Sequence, residues 1–173
     1  QFWPEGSDLS GKRVTVIGSG ATAATLVPAL ANAGAHVTML QRTPTYYIIR
    51  PSADPLANVL RRIMPERWAY AVTRFKNNHL QQLFIKRSRN HPEKVRRFLQ
   101  DQVAGELGDR YDAKSFEPPY NPWDQRVCLI PDGDLFAAIR EGSADIVTGT
   151  IERMDASGIA LADGGRINAD VIV

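Results

Sequence analysis

Apolar positions change their pattern several times along this chain. Residues 13–17, 36–40 and 171–173 are short apolar runs, the pattern of strands buried on both faces in a parallel sheet. Between the first two, residues 20–33 are rich in Ala, Leu and Val and predict a crossover helix. Pro28 is expected to kink that helix and Gly34 to close it. Residues 13–40 therefore predict one βαβ unit with a right-handed connection. From Pro51 to Gly108 apolar residues recur at three- and four-residue spacing, which predicts helices over 55–64, 65–88 and 92–107. Pro55, Pro65 and Pro92 each suit a first helical turn.

Further on, residues 127–130 and 145–148 predict strands. Asp132-Gly133-Asp134 predicts a turn that caps a helix running through Arg140. Residues 150–168 alternate between turn signals at 156–158 and 163–165, the pattern of a β-meander. The fold class expected is α/β: a Rossmann-like, three-layer FAD/NAD(P)-binding domain, with a meander on one face of a parallel sheet and helices on the other. The expected organisation is a linker over 1–12 from a preceding FAD domain, a nucleotide domain made of 13–50 and 126–173, and a helical insertion with a loop over 51–125.

The bulk composition narrows this little. At 173 residues and 43% hydrophobic content the chain can bury one core. Cys128 is the single cysteine, which excludes an internal disulfide framework and points to a reducing, cytoplasmic setting. No apolar run approaches the ~20 residues of a membrane span, and no secretory leader pattern opens the chain. The start in a polar loop and the stop within an apolar run predict a piece of a longer protein.

The candidate chemistry begins where the first strand meets its helix. Gly18, Ser19, Gly20, Ala21, Thr22 and Ala23 form a Gly-x-Gly-x-x-Ala turn in the strand–turn–helix context that dinucleotide binding requires. Gly18 permits the turn, Gly20 lets a pyrophosphate approach the backbone, and Ala23 keeps the helix close to the strand. The helix N-terminus offers free N–H groups to the phosphates. Where an NAD site places a carboxylate, about 20 residues on, this chain has Gln41, Arg42 and Thr43. A guanidinium pairs with a 2′-phosphate and stacks on adenine, so the expected coenzyme is NADP(H).

These residues carry a family resemblance. Trp3-Pro4, the glycine turn at 18–23, the Gln41–Tyr46 segment and the Tyr120–Arg126 segment resemble the class B flavoprotein monooxygenases. Within them the chain is most similar to Baeyer–Villiger monooxygenases of the ethionamide-activating type, and the resemblance runs over essentially its whole length. Trp3-Pro4 is the tail of the family's fingerprint, whose histidine would fall two positions before Gln1. The resemblance implies a parent enzyme that uses NADPH, FAD and O2 to oxygenate ketones, giving esters or lactones, or sulfur compounds, through a flavin peroxide. FAD would be held mainly by a domain outside this chain, so the piece alone would not turn over. Arg126 matches the family's catalytic arginine, whose fixed charge would stabilise negative species beside the flavin. Read without the resemblance, Arg126 would be a structural partner of an acid such as Asp124. Many relatives have Lys just before this arginine; here Gln125 stands there, within hydrogen-bonding reach of the phosphate or ribose.

Two other readings stay open from sequence alone: a flavoprotein reductase of the disulfide-reductase type, and a non-catalytic nucleotide-binding or interaction module. Residues 61–97 carry eleven Lys and Arg against Glu66 and Glu93. A solvated helix face explains this basic patch, and peripheral membrane contact is the alternative; a nucleic-acid partner is not expected. His36, His79 and His91 lack metal-ligand spacing, so no metal site is expected.

Overall fold

A computed structural model describes residues 8–173. The Trp3-Pro4 pair lies outside the described residues. Strand β1 (Arg13–Ile17), helix α1 (Ala21–Asn32) and strand β2 (His36–Gln41) form the expected βαβ unit. Val14 pairs with Val37 and Ile17 with Leu40 in parallel register. Pro28 is buried inside α1 without ending it. The helix closes through Gly34 at φ 87°. Gly34 N–H donates to the Ala31 carbonyl and Ala35 N–H to that of Leu30, a Schellman arrangement in which a left-handed residue lets two terminal carbonyls be satisfied.

Strands β5 (Ala144–Thr148) and β9 (Val171–Ile172) complete a parallel sheet in the order β5-β2-β1-β9. This is a Rossmann arrangement, with β1 central and its neighbours added on both sides. The last strand begins as expected, pairing parallel with β1 through Val171 and Ile172.

The other two layers follow the sequence. Strands β6 (Ile151–Asp155), β7 (Gly158–Leu161) and β8 (Arg166–Asn168) form the antiparallel meander. Ile159, Leu161 and Ile167 from it pack on Leu40 and Val147 of the sheet. Gly158 is required here, because a β-carbon would sit 2.0 Å from the Ile167 carbonyl oxygen. On the opposite face α1 and α6 (Asp134–Glu141) enclose the main core with Val14, Val16, Val37 and Met39. The residue at the cap of α6 is Gly133, at φ 72°, and no side chain caps the helix there. The Asp132-Gly133-Asp134 turn does precede the helix as expected, and the Asp132 carboxylate accepts the Ser52 N–H at 3.0 Å.

The segment from 51 contains α2 (Pro55–Ile63), α3 (Glu66–Asn90) and α4 (Pro92–Leu107). Asp54 caps α2 through the Leu56 and Ala57 N–H groups. Pro65 stands at the N-cap of α3, one step before the first turn expected for it. α4 turns Val95, Leu99, Val103 and Leu107 inward, and Val103 and Leu107 join the main core. A short α5 (Ala113–Phe116) follows, within the loop expected in the 51–125 segment. A strand with no counterpart in the sequence expectations is β3 (Tyr46–Arg50), which runs parallel to β4 (Val127–Pro131) with Tyr46 opposite Val127.

Candidate functional site

At the carboxyl ends of β1, β2 and β5 lies a cavity of about 500 Å³. Its walls include Gly18 and Ser19 after β1, Arg42, Thr43 and Thr45 after β2, and Gly149 and Thr150 after β5. Tyr120, Gln125 and Arg126 close it from the loop before β4. Ligands of open α/β sheets bind in this position, because the strand-to-helix turns all open on that side. Gly18 takes φ 130°, which favours glycine, and its N–H donates to the Leu40 carbonyl at 2.8 Å. Gly20 is the N-cap of α1 with an extended backbone and no side-chain cap, and no acid sits in the first turn. The positive end of α1 is thus left for an anion. Ala23 is buried against the core, which lets α1 approach the sheet.

The cations are set by the loops. Arg42 is exposed, follows directly on β2 and makes no ion pair among the described residues. Arg126 makes none either, and its Nη1 lies 3.0 Å from where a β-carbon on Gly20 would stand. The alternative partner, Asp124, instead accepts the Asn121 N–H at 3.1 Å. Among the described residues no carboxylate lines the cavity, and the two guanidiniums make its field positive. The loop bearing Arg126 is fastened by two tyrosines. Tyr46 Oη donates to the Tyr120 carbonyl at 2.7 Å, Tyr120 Oη donates to the Pro44 carbonyl at 3.0 Å, and the rings meet edge to face at 5.6 Å. Cys128, the second residue of β4, is buried with Sγ 3.8 Å from the Ser19 carbonyl. Burial pushes its thiol pKa up, which fits an inert packing role.

Known proteins supply the context for this geometry. A family described as "Putative NAD(P)-binding" matches residues 7–90. FAD-containing monooxygenase EthA of Mycobacterium tuberculosis is 49% identical over 175 residues, covering 100% of this chain and 36% of that protein. EthA of Mycolicibacterium smegmatis is 45% identical with the same coverage. Its relatives are FAD-containing monooxygenases. The chain spans about a third of their length and has a Rossmann-like fold. Among solved structures, a steroid monooxygenase bound to NADP superposes with a TM-score of 0.70 at 20% identity, over 99% of this chain and 39% of its own. A cyclohexanone monooxygenase bound to ε-caprolactone gives 0.70 at 21% identity, over 99% and 41%. At that identity these two establish the shared fold.

The residues singled out from sequence fall into three placements. Gly18, Ser19, Arg42, Thr43, Gln125 and Arg126 line one cavity, and Gly20 lies beneath Arg126. Ala21 and Thr22 are exposed in the first turn of α1, beside the cavity rather than in its wall. Gln41 is separated from the group. It is 1% exposed, and its Nε2 donates to the Ser115 carbonyl at 2.7 Å and to Thr148 Oγ1 at 3.0 Å. The structure gives it the role of a pin between β2, β5 and α5. Thr45, Tyr120 and Thr150 also line the cavity, although none was a candidate site residue from sequence; Thr45 and Tyr120 lie in the Gln41–Tyr46 and Tyr120–Arg126 segments that carry the resemblance, and Thr150 had no signal. Among the described residues no cluster of three metal-ligating side chains occurs.

Proposed function

We propose that this chain is the NADPH-binding domain of an FAD-dependent monooxygenase that oxygenates a small ketone or sulfur compound with NADPH and O2. The observation that carries the reading is the cavity at the strand ends, which Arg42 and Arg126 line together with the glycine turn and which no carboxylate of the described residues lines. A ribose-binding acid would disfavour the 2′-phosphate by like-charge repulsion; a guanidinium favours it. The N–H groups of the 18–23 turn hold the pyrophosphate, and Arg42 and Thr43 hold the 2′-phosphate. Gln125 hydrogen-bonds a phosphate or ribose oxygen. Arg126 places a positive charge in the cavity wall, beside Gly20. FAD, held mainly by a further domain of the same parent chain, supplies the oxygen activation when bound. The high identity to FAD-containing monooxygenases over the whole chain supports this reading over a disulfide-reductase type and over a non-catalytic module. The free thiol of Cys128 supports a reducing compartment, the cytoplasm.

The test is coenzyme choice in the full-length parent. Arg42→Ala raises KM for NADPH by roughly tenfold or more, the loss of a charge-assisted pair, and leaves KM for NADH nearly unchanged. Equal changes for both coenzymes overturn Arg42 as the reader of the 2′-phosphate.

A further inference from the structure

The longest helix presents an apolar stripe that the fold leaves uncovered. Trp68, Val72, Phe75, His79 and Leu83 follow steps of four, three, four and four residues along α3, so they stack on one face. All five are exposed, Phe75 at 65% and Leu83 at 61%. The His79 ring lies against Phe75 with centroids 3.9 Å apart. α2 adds Leu56, Val59 and Ile63 at steps of three and four, with Ile63 70% exposed. Only Ala69 and Ser88 of α3 are buried, so packing against α2 and α4 uses other sides of the helix. An aligned apolar run of this length goes well beyond the scattered single residues that any surface shows.

Charge decides what covers it. Between Pro55 and Asn90 stand eight Lys and Arg against one acid, Glu66, although the whole chain carries only +2. Lys76 is held by Asp54. Arg67, Arg74, Lys86 and Arg89 make no ion pair among the described residues, and the Arg67 guanidinium lies over the Trp68 ring at 5.6 Å. A second copy docked on the stripe would bring like charges together. An anionic lipid surface satisfies both features, with acyl chains taking the stripe and headgroup phosphates the cations. No helix of the described residues is long and apolar enough to cross a membrane, so the contact lies in the plane of the interface.

We infer that the α2–α3 pair docks this protein onto an anionic phospholipid surface, with Trp68, Phe75 and Leu83 entering the acyl boundary and Lys86 and Arg89 meeting headgroups. The surface is separate from the coenzyme cavity, and its test needs no coenzyme.

The full-length parent protein is floated with phosphatidylcholine vesicles that contain or lack phosphatidylglycerol. The expected result is flotation with the anionic vesicles, and much less with neutral vesicles or at high salt. The double variant Phe75→Asp/Leu83→Asp lowers the partition by roughly tenfold or more. Its circular dichroism and thermal midpoint stay at the wild-type values, because both side chains are exposed. Lys86→Glu/Arg89→Glu removes the preference for anionic vesicles. A wild-type protein that stays unbound with both vesicle types overturns the inference, as does undiminished flotation of the Phe75/Leu83 variant. A dimer in light scattering that this variant splits, without flotation of the wild type, assigns the stripe to a second copy and equally overturns it.

Discussion

The Arg126 guanidinium lies over Gly20, with Nη1 3.0 Å from the place a β-carbon there would occupy. Two residues far apart in the chain thus meet at the N-terminus of α1, the place proposed for the pyrophosphate. Gly20 has an ordinary extended backbone, so alanine fits its conformation, and the atom it would crowd is the end of a flexible side chain. Gly20→Ala is therefore expected to leave the thermal midpoint almost unchanged while raising KM for NADPH and NADH alike, by roughly tenfold, as the methyl holds the phosphates off the N–H groups. For Arg126→Ala in the full-length parent, NADPH-driven flavin reduction stays measurable while product formation falls by about 10² or more, the scale of removing one electrostatic stabiliser. Stopped-flow reduction and product analysis separate the two. Full oxygenation by the variant removes Arg126 from the chemistry.

Gln41 is expected to matter for stability and not for coenzyme choice. Its side-chain amide joins the Ser115 carbonyl and Thr148 in a buried setting, away from the cavity. Gln41→Leu leaves the Ser115 carbonyl without this donor and costs about 1–3 kcal/mol, read as a lower denaturation midpoint. The NADPH-to-NADH preference stays where it was. A change in that preference would return Gln41 to the binding site.

Tyr47 offers the opposite sign. Its ring packs edge-on against Phe116 and Phe136, but its buried hydroxyl has no hydrogen-bond partner among the described residues. Burial raises the phenol pKa far above its usual value, so the group stays neutral. Tyr47→Phe keeps the ring contacts and removes a desolvated hydroxyl. The variant should be more stable by about 1 kcal/mol. A lowered thermal midpoint would show that the hydroxyl is satisfied in solution.

Acid sensitivity is expected at the edge of the parallel sheet. Asp170, just before β9, accepts the Arg13 backbone N–H at 2.9 Å and pairs with the Arg13 guanidinium at 2.7 Å. The hydrogen bonds from Arg13 hold its carboxyl well below the usual carboxylate range. A group with a depressed folded-state pKa stabilises fully above its unfolded value, near 4, and loses that contribution as pH falls through the folded one. Melting curves from pH 6 downward should fall more steeply for the wild type than for Asp170→Asn. Parallel curves would show that the pair contributes nothing to folding.

Much of the scaffold was legible because its causes are local. The apolar run before Gly18, the glycine turn and the Ala-rich stretch after it specify β1, α1 and β2 within a few turns of chain. The meander follows from alternation between turn residues, and Pro55 and Pro92 mark where α2 and α4 begin. Arg42 was legible as a cavity residue because it directly follows a strand whose direction β1 fixes.

The sequence by itself determined the βαβ unit, the glycine turn and the absence of an acid after β2, since each depends on residues that are neighbours along the chain. Only the tertiary structure decided that Gln41 turns inward to a carbonyl 74 positions away. It also decided that Tyr46–Arg50 is a strand, because its partner is β4, reached only across the whole insertion. That pairing sets Arg126 beside Thr45 and over Gly20. The physical reason is common to all three: parallel pairing and buried hydrogen bonds join segments that share no local pattern, so their positions follow from packing the complete core.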